Sequence, residues 1–219
     1  METESKWDVL AGDPRFETGI GPWFAPSRLA AAIEMRRWGC ETVLDLGCGT
    51  GITAETLRNC PLWKGRAPPR YYGVESSWPM RQLARARASR CELVGDVACL
   101  SIQSFDCVLL RHVLEHQEDP SILLDQAARR ATKIVHVTLS PSSSLVKGSA
   151  VHLLTADWKI ATSILIDEDV GMARFQHPFA VLLLPLWRRG MHVRISPPTP
   201  EREIILLGSW VTSPSTEPL

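Results

Sequence analysis

The chain has 219 residues, 45 % hydrophobic and 22 % charged, which suits one globular domain with ample apolar material for a core. Lys plus Arg and Asp plus Glu each total 24, so no net field draws the protein toward nucleic acid or an anionic membrane. The six cysteines, at 40, 48, 60, 91, 99 and 107, form no Cys-x-x-Cys pair of metal-binding type and read as reduced thiols in a cytoplasmic protein. Met1 to Asp8 is polar and acidic, unlike a signal peptide. Residues 1–22 form an irregular lead-in punctuated by Gly12, Pro14, Gly19, Gly21 and Pro22. Its aromatic residues, with Trp23 and Phe24 just beyond, suit a lid packed on the core. Ser27 can cap a helix through about Trp38, with Gly39 as its stop.

The central stretch follows. Val43 to Leu46 is a short apolar strand interrupted by Asp45, and Gly47-Cys48-Gly49-Thr50-Gly51 places three glycines in five positions before a helix from Ile52 to Asn59. Glycines permit positive φ and close approach of a ligand, and a helix N-terminus offers free N–H groups. The dinucleotide fingerprint is not met: counted from Gly47 its last position is Ile52, with the third glycine one residue early at Gly51. Asp45 also favours a cationic ligand over a pyrophosphate. Asp-x-Gly-x-Gly-x-Gly resembles motif I of the class I S-adenosylmethionine-dependent methyltransferases, whose cofactor carries a sulfonium and an ammonium. The resemblance implies that Asp45, Gly47, Cys48, Gly49 and Gly51 bind S-adenosylmethionine.

After the basic loop Cys60–Arg70, a second strand, Tyr71 to Val74, ends at Glu75-Ser76-Ser77. Glu75 stands 24 residues beyond Gly51, where an acidic side chain can accept bonds from ribose hydroxyls. Capping of the next helix is the alternative. Ser76 is grouped with it as a cofactor contact. The helix Trp78–Arg90 carries Arg81, Arg85, Arg87 and Arg90, with Arg81 and Arg85 expected on a solvated outer face. A third strand, Cys91 to Val94, leads to Gly95-Asp96-Val97, and a fourth runs from Phe105 to Leu110. Gly-Asp followed by Phe-Asp-hydrophobic-hydrophobic is similar to the family's next motifs. By that resemblance Asp96 accepts from the adenine amino group and Val97 meets the ring edge. An acidic turn former at position 96 is the alternative.

Leu110 to Pro120, which includes His112-Val-Leu-Glu115-His116, resembles the "xHVLEHxxDP" segment of the small-molecule branch that contains quinone and natural-product enzymes. Arg111 is placed with the cofactor contacts. His112 would emerge at the carboxyl edge of the sheet, as a general base or as a donor that orients the substrate. His112-x-x-Glu115-His116 also matches the inverted zinc-protease string, which requires a helix; directly after a strand, that match is set aside and no metal is expected. A helix Pro120–Arg130 and a strand Lys133–Leu139 follow, then a polar loop from Ser140 to Ser144. Val151 to Trp158 is similar to a recurring His-to-Thr turn before a helix over 156–166, with Thr155 as N-cap; His152 reads first as a satisfied structural histidine and secondarily as a substrate contact beside Trp23 and Phe24. The apolar run Phe179–Arg189 is interrupted by Pro185 and is too short to span a bilayer. Met191–Ile195 and Glu203–Trp210 read as a terminal hairpin, and Ser213–Leu219 as a frayed tail.

The resemblance covers roughly residues 40–140. It implies one α/β domain: a Rossmann-like three-layer sandwich on a seven-stranded, mostly parallel sheet with one antiparallel strand. Residues 1–39 would form the lid and first helix, 40–138 the cofactor core, and 139–219 the substrate-side insertion and hairpin. The implied reaction is methyl transfer to a small, partly apolar molecule, with nucleic acid not expected as a partner, no membrane span, and the oligomeric state open. A tRNA or protein methyltransferase, supported by the arginine helix and the 64–70 loop, and a cofactor-binding but inactive partner subunit are the alternatives.

Overall fold

A computed structural model describes residues 6–11, 25–89, 91–139, 150–154, 161–167, 172–177, 179–196 and 204–210. The expectations for Trp23, Phe24, Arg90, Thr155, the 140–144 loop and the tail fall outside those residues.

The central sheet has seven strands in the order β3-β2-β1-β4-β5-β10-β9, with ranges Thr42–Leu46 for β1, Arg70–Val74 for β2, Glu92–Val94 for β3, Phe105–Arg111 for β4, Ala131–Leu139 for β5, His192–Ser196 for β9 and Ile204–Ser209 for β10. Strand β10 runs antiparallel to both β5 and β9 and is the single reversed strand in an otherwise parallel sheet. The order turns back between β1 and β4. In an open α/β sheet the ligand crevice lies there, outside the carboxyl ends of the strands.

Alternation along the strands feeds two cores. Val43, Cys107, Leu109, Ile134 and Leu207 face the helices α2 (Ala25–Arg37), α3 (Ile52–Asn59) and α4 (Trp78–Arg87). Leu44, Val108, Leu110, Val135, Val137 and Leu206 face α5 (Pro120–Arg130) and α6 (Phe179–Arg188). A short α1 (Lys6–Leu10) sits on α4, with Leu10 and Ala11 against Met80.

Four expectations are corrected. Helix α2 begins at Ala25, two residues before Ser27. Pro26 suits the first turn of a helix, and the Ser27 hydroxyl instead accepts from Arg111 Nη2 at 2.9 Å. Residues 161–166 are strand, not helix: β6 (Ala150–Leu154), β7 (Ala161–Asp167) and β8 (Met172–Gln176) form a second, antiparallel sheet in the order β6-β7-β8. Thr162, Ile164 and Ile166 are β-branched and favour that state, and His152 lies in β6 opposite Ser163, not in a turn. Helix α6 runs through Pro185, because Leu182, Leu183 and Leu186 on its inner face are buried in the core and offset the lost backbone bond. Arg81 does not lie on a solvated face: its guanidinium bonds the carbonyls of Glu75 and Ser76.

Candidate active site

The chemistry-bearing residues gather where β1, β2, β3 and β4 end. Asp45 is 1 % exposed and its Oδ2 accepts from the Tyr71 hydroxyl at 2.6 Å. Tyr71 pairs in register with Val43, and its ring reaches two residues along the same face to Asp45. Oδ1 of Asp45 is buried without a hydrogen bond. Burial pushes the Asp45 carboxyl up, opposed by the Tyr71 hydroxyl and by the Arg111 guanidinium. Arg111, at the end of β4, bridges Thr53 in α3 and Ser27 in α2.

The glycine loop is fixed from below and left open above. Gly47 and Cys48 both donate to the Val74 carbonyl, at 2.8 and 3.0 Å. Gly51 has φ 79°, and a Cβ there would fall 2.8 Å from Ala84 Cα, so α4 packs directly on it. Gly49 has φ 55° and nothing within 4 Å of its Cβ position. Its N–H donates to Glu75 Oε2 at 2.9 Å, while Glu75 Oε1 accepts from Ser77 N at 2.8 Å. Glu75 therefore links the loop to the start of α4. Both of its oxygens keep lone pairs beyond these bonds. Burial pushes its carboxyl up, against the Ser77 and Gly49 N–H groups and the Arg81 charge. Burial and the Asp45 and Glu75 carboxylates push the Cys48 thiol up, and its Sγ packs inward where a Gly73 Cβ would lie. Ser76 is exposed at the end of β2. Asp96, exposed at the end of β3, caps the turn Val97–Cys99 through Ala98 N at 2.8 Å, and Val97 leans on the core.

His112 follows β4. It has φ 53°, the one positive value on a non-glycine residue among the described residues, and its N–H donates to the Thr138 carbonyl of β5 at 3.0 Å. Its Nδ1 lies 3.2 Å from Glu115 Oε1. Burial pushes the Glu115 carboxyl up, but the bond and charge of His112, with His116, outweigh it and hold the group at about 2. Residues 114–116 form a single 3-10 turn, not the helix that a zinc-protease string needs.

Sequence reasoning missed several residues. Tyr71 was assigned only to a strand. Arg87 bonds the Thr50 hydroxyl at 2.8 Å and so ties α4 to the loop. Asp8 of α1 accepts from the Ser77 hydroxyl at 2.6 Å, and Trp7 stacks edge-on against His116 with ring centroids 4.9 Å apart. His177, after β8, sits 3.1 and 2.9 Å from the Leu114 and Gln117 carbonyls, which a protonated Nε2 serves together. All are pairings between distant elements; the alternation of β2 against β1 was the one readable signal, for Tyr71.

A family model described as a methyltransferase domain matches residues 16–167. The chain belongs to that family. It is an S-adenosylmethionine-dependent methyltransferase. No curated protein sequence matches it. Among solved structures, the methyltransferase is similar at 18 % identity and a TM-score of 0.65 to a chain from the complex between the Haloferax volcanii Trm112 methyltransferase activator and a putative methyltransferase, covering 98 % of this chain and 100 % of that one. It is similar to magnesium protoporphyrin IX methyltransferase, ChlM, from Synechocystis PCC 6803 with bound S-adenosylmethionine, at 19 % identity and a TM-score of 0.59 over 93 % of this chain and 89 % of that one. It is similar to CalS10, an amino pentose methyltransferase from Micromonospora echinaspora involved in calicheamicin biosynthesis, at 16 % identity and a TM-score of 0.62 over 89 % and 94 %. At these identities the likeness is one of fold.

The methyltransferase's own residues fit the cofactor. Asp45 Oδ1 is a buried acceptor lacking a donor, which an ammonium can supply, and Gly49 keeps open the space that any side chain would fill. Among the described residues no helix is long and apolar enough to cross a membrane.

Proposed function

We propose that this methyltransferase acts on a small, partly apolar acceptor bound beside His112. One observation carries this: elements outside the parallel core pack on the turn that follows His112. Trp7 of α1 packs on His116, and His177 beside β8 is bonded to the turn that follows His112. An edge covered by such elements suits a small molecule better than a polymer. ChlM and CalS10 bear names of small-molecule enzymes, which supports the same direction. The arginines that recommended nucleic acid are partly engaged internally, Arg81 on the Glu75 and Ser76 carbonyls and Arg87 on Thr50.

The cofactor supplies an electrophilic methyl group on a sulfonium. The chain's part is to hold it and aim the acceptor. Asp45 would accept from the cofactor ammonium, with Arg111 beside it; Gly47, Cys48, Gly49 and Gly51 would shape the backbone cradle; Glu75 and Ser76 would meet the ribose, and Asp96 and Val97 the adenine. His112 would take the acceptor's proton or orient it. Trp23, Phe24 and His152 would contact the acceptor. Residues 1–39 would act as the lid and 139–219 as the substrate side. In-line placement and exclusion of water do most of the work in such a displacement. The six free thiols suit the cytoplasm.

A panel of small hydroxylated and aminated acceptors, assayed for S-adenosylhomocysteine release, tests the proposal. Turnover of a member with a single added methyl supports it. Turnover of tRNA or protein alone, lost as salt rises, contradicts it. The Haloferax neighbour favours a second reading, in which an activator subunit is required. Activity that appears only with a co-purifying small protein would mark that case.

A further inference from the structure

We propose that Glu115 is the positioning residue for His112: its carboxylate holds the Nδ1 proton, so that Nε2 is the nitrogen presented to the acceptor. This deepens the acceptor chemistry proposed above and rests on it. A carboxylate only accepts, so the contact between His112 Nδ1 and Glu115 Oε1 at 3.2 Å requires the proton on Nδ1. The lone pair of the neutral ring is then on Nε2. The Glu115 side chain is 9 % exposed, and the side-chain partner of its Oε1 is His112 Nδ1.

The backbone is arranged to keep that pairing. His112 holds a left-handed conformation that only a surrounding structure can impose, fastened by its N–H to the Thr138 carbonyl. Glu115 rides on the Leu114–His116 turn, which His177 grips through the Leu114 and Gln117 carbonyls while Trp7 packs on His116. The titratable groups around the pair are His116 on the same turn, His177 from the β8 side with Asp119 near it, and Arg111 one residue before His112.

In the transfer, the acceptor's O–H or N–H bond breaks and its proton passes to Nε2. The electron pair left on the acceptor forms the new bond to the methyl carbon, and the pair of the broken S–C bond stays on sulfur. The imidazolium is stabilised by Glu115 and later returns its proton to solvent.

The test is nitrogen NMR of protein labelled at its six histidines, with the His112 signals assigned by their loss in His112→Asn. The wild type is expected to show His112 protonated at Nδ1 when neutral. In Glu115→Gln its titration midpoint should fall by about one pH unit, as for a lost neighbouring opposite charge. S-adenosylhomocysteine affinity, measured in parallel, should stay unchanged. A neutral His112 protonated at Nε2 in the wild type, or a midpoint unmoved in a folded Glu115→Gln, overturns the proposal. If that variant does not fold, the wild-type tautomer alone decides. Because no acceptor is needed, failure here is separate from failure of the small-molecule assignment.

Discussion

Asp45 and Gly51 show how single residues shape the carboxyl edge of the sheet. The Tyr71 hydroxyl donates to Asp45 Oδ2 at 2.6 Å, in a position sealed from water. Tyr71→Phe leaves the carboxylate buried with that bond gone. It should cost about 1–3 kcal/mol of stability in urea unfolding, the penalty for an unsatisfied buried group. Saturating S-adenosylmethionine should recover part of that loss. Gly51→Ala should be more severe, since φ 79° and a Cα of Ala84 at 2.8 Å from the added Cβ combine strain with a backbone clash. We expect a loss of about 2 kcal/mol or more in the same unfolding assay, with α4 displaced from the loop.

At the scale of elements, the two ends of the sheet do different work. At the amino ends, Asp106 of β4 accepts from the N–H groups of Glu41 and Thr42, at 2.7 and 3.3 Å, and pairs with Lys133 of β5 at 3.4 Å. Burial pushes its carboxyl up, but the Glu41 N–H, Lys133 and Thr132 outweigh it and hold it below the usual range. Asp106→Ala should lower stability by about 2 kcal/mol, the scale of a lost charge-assisted bond, and leave S-adenosylhomocysteine affinity as in the wild type. At the carboxyl ends, acidic residues gather in or just after the last residues of the strands: Asp45 in β1, Glu75 after β2 and Asp96 after β3. These ends were legible because each strand tip and its acidic or glycine residue are neighbours in the chain: Asp45 with Gly47, Glu75 after Val74, Asp96 after Gly95. The partners Tyr71, Arg87 and Asp8 were not, since register and helix packing alone bring them to Asp45, Thr50 and Ser77. The β6–β8 sheet was also hidden. Its strands carry no tight-turn signature, and Thr155 offered a plausible helix cap.

For the molecule as a whole, acid should loosen the fold in two stages. Burial, then Arg111, holds His136 down to about 3 against an ordinary 6.5, so between those values the unfolded chain binds the proton that the folded chain refuses. Stability therefore falls as pH drops through that window. Glu115, held at about 2 against an ordinary 4.5, contributes stability that is present above 4.5 and is lost as pH falls toward 2. Asp45 and Glu75, pushed up by burial, work in the opposite sense. Urea midpoints taken from neutral to acid pH should show His136→Phe flattening the first stage and leaving the second in place. An unchanged profile in that variant would assign the acid sensitivity elsewhere.

The parallel core, the reversed β10 and the glycine loop all converge on one claim: the carboxyl edge at β1 holds S-adenosylmethionine through Asp45 and the open Gly49. Calorimetric titration tests it directly, with S-adenosylmethionine, S-adenosylhomocysteine and NAD titrated into the wild type and into Asp45→Asn. The account predicts saturable binding of the first two, none of NAD, and S-adenosylmethionine affinity weakened by more than about 1 kcal/mol in the variant. Binding of NAD in place of the sulfonium cofactor, or an Asp45→Asn protein that binds as the wild type does, would contradict it.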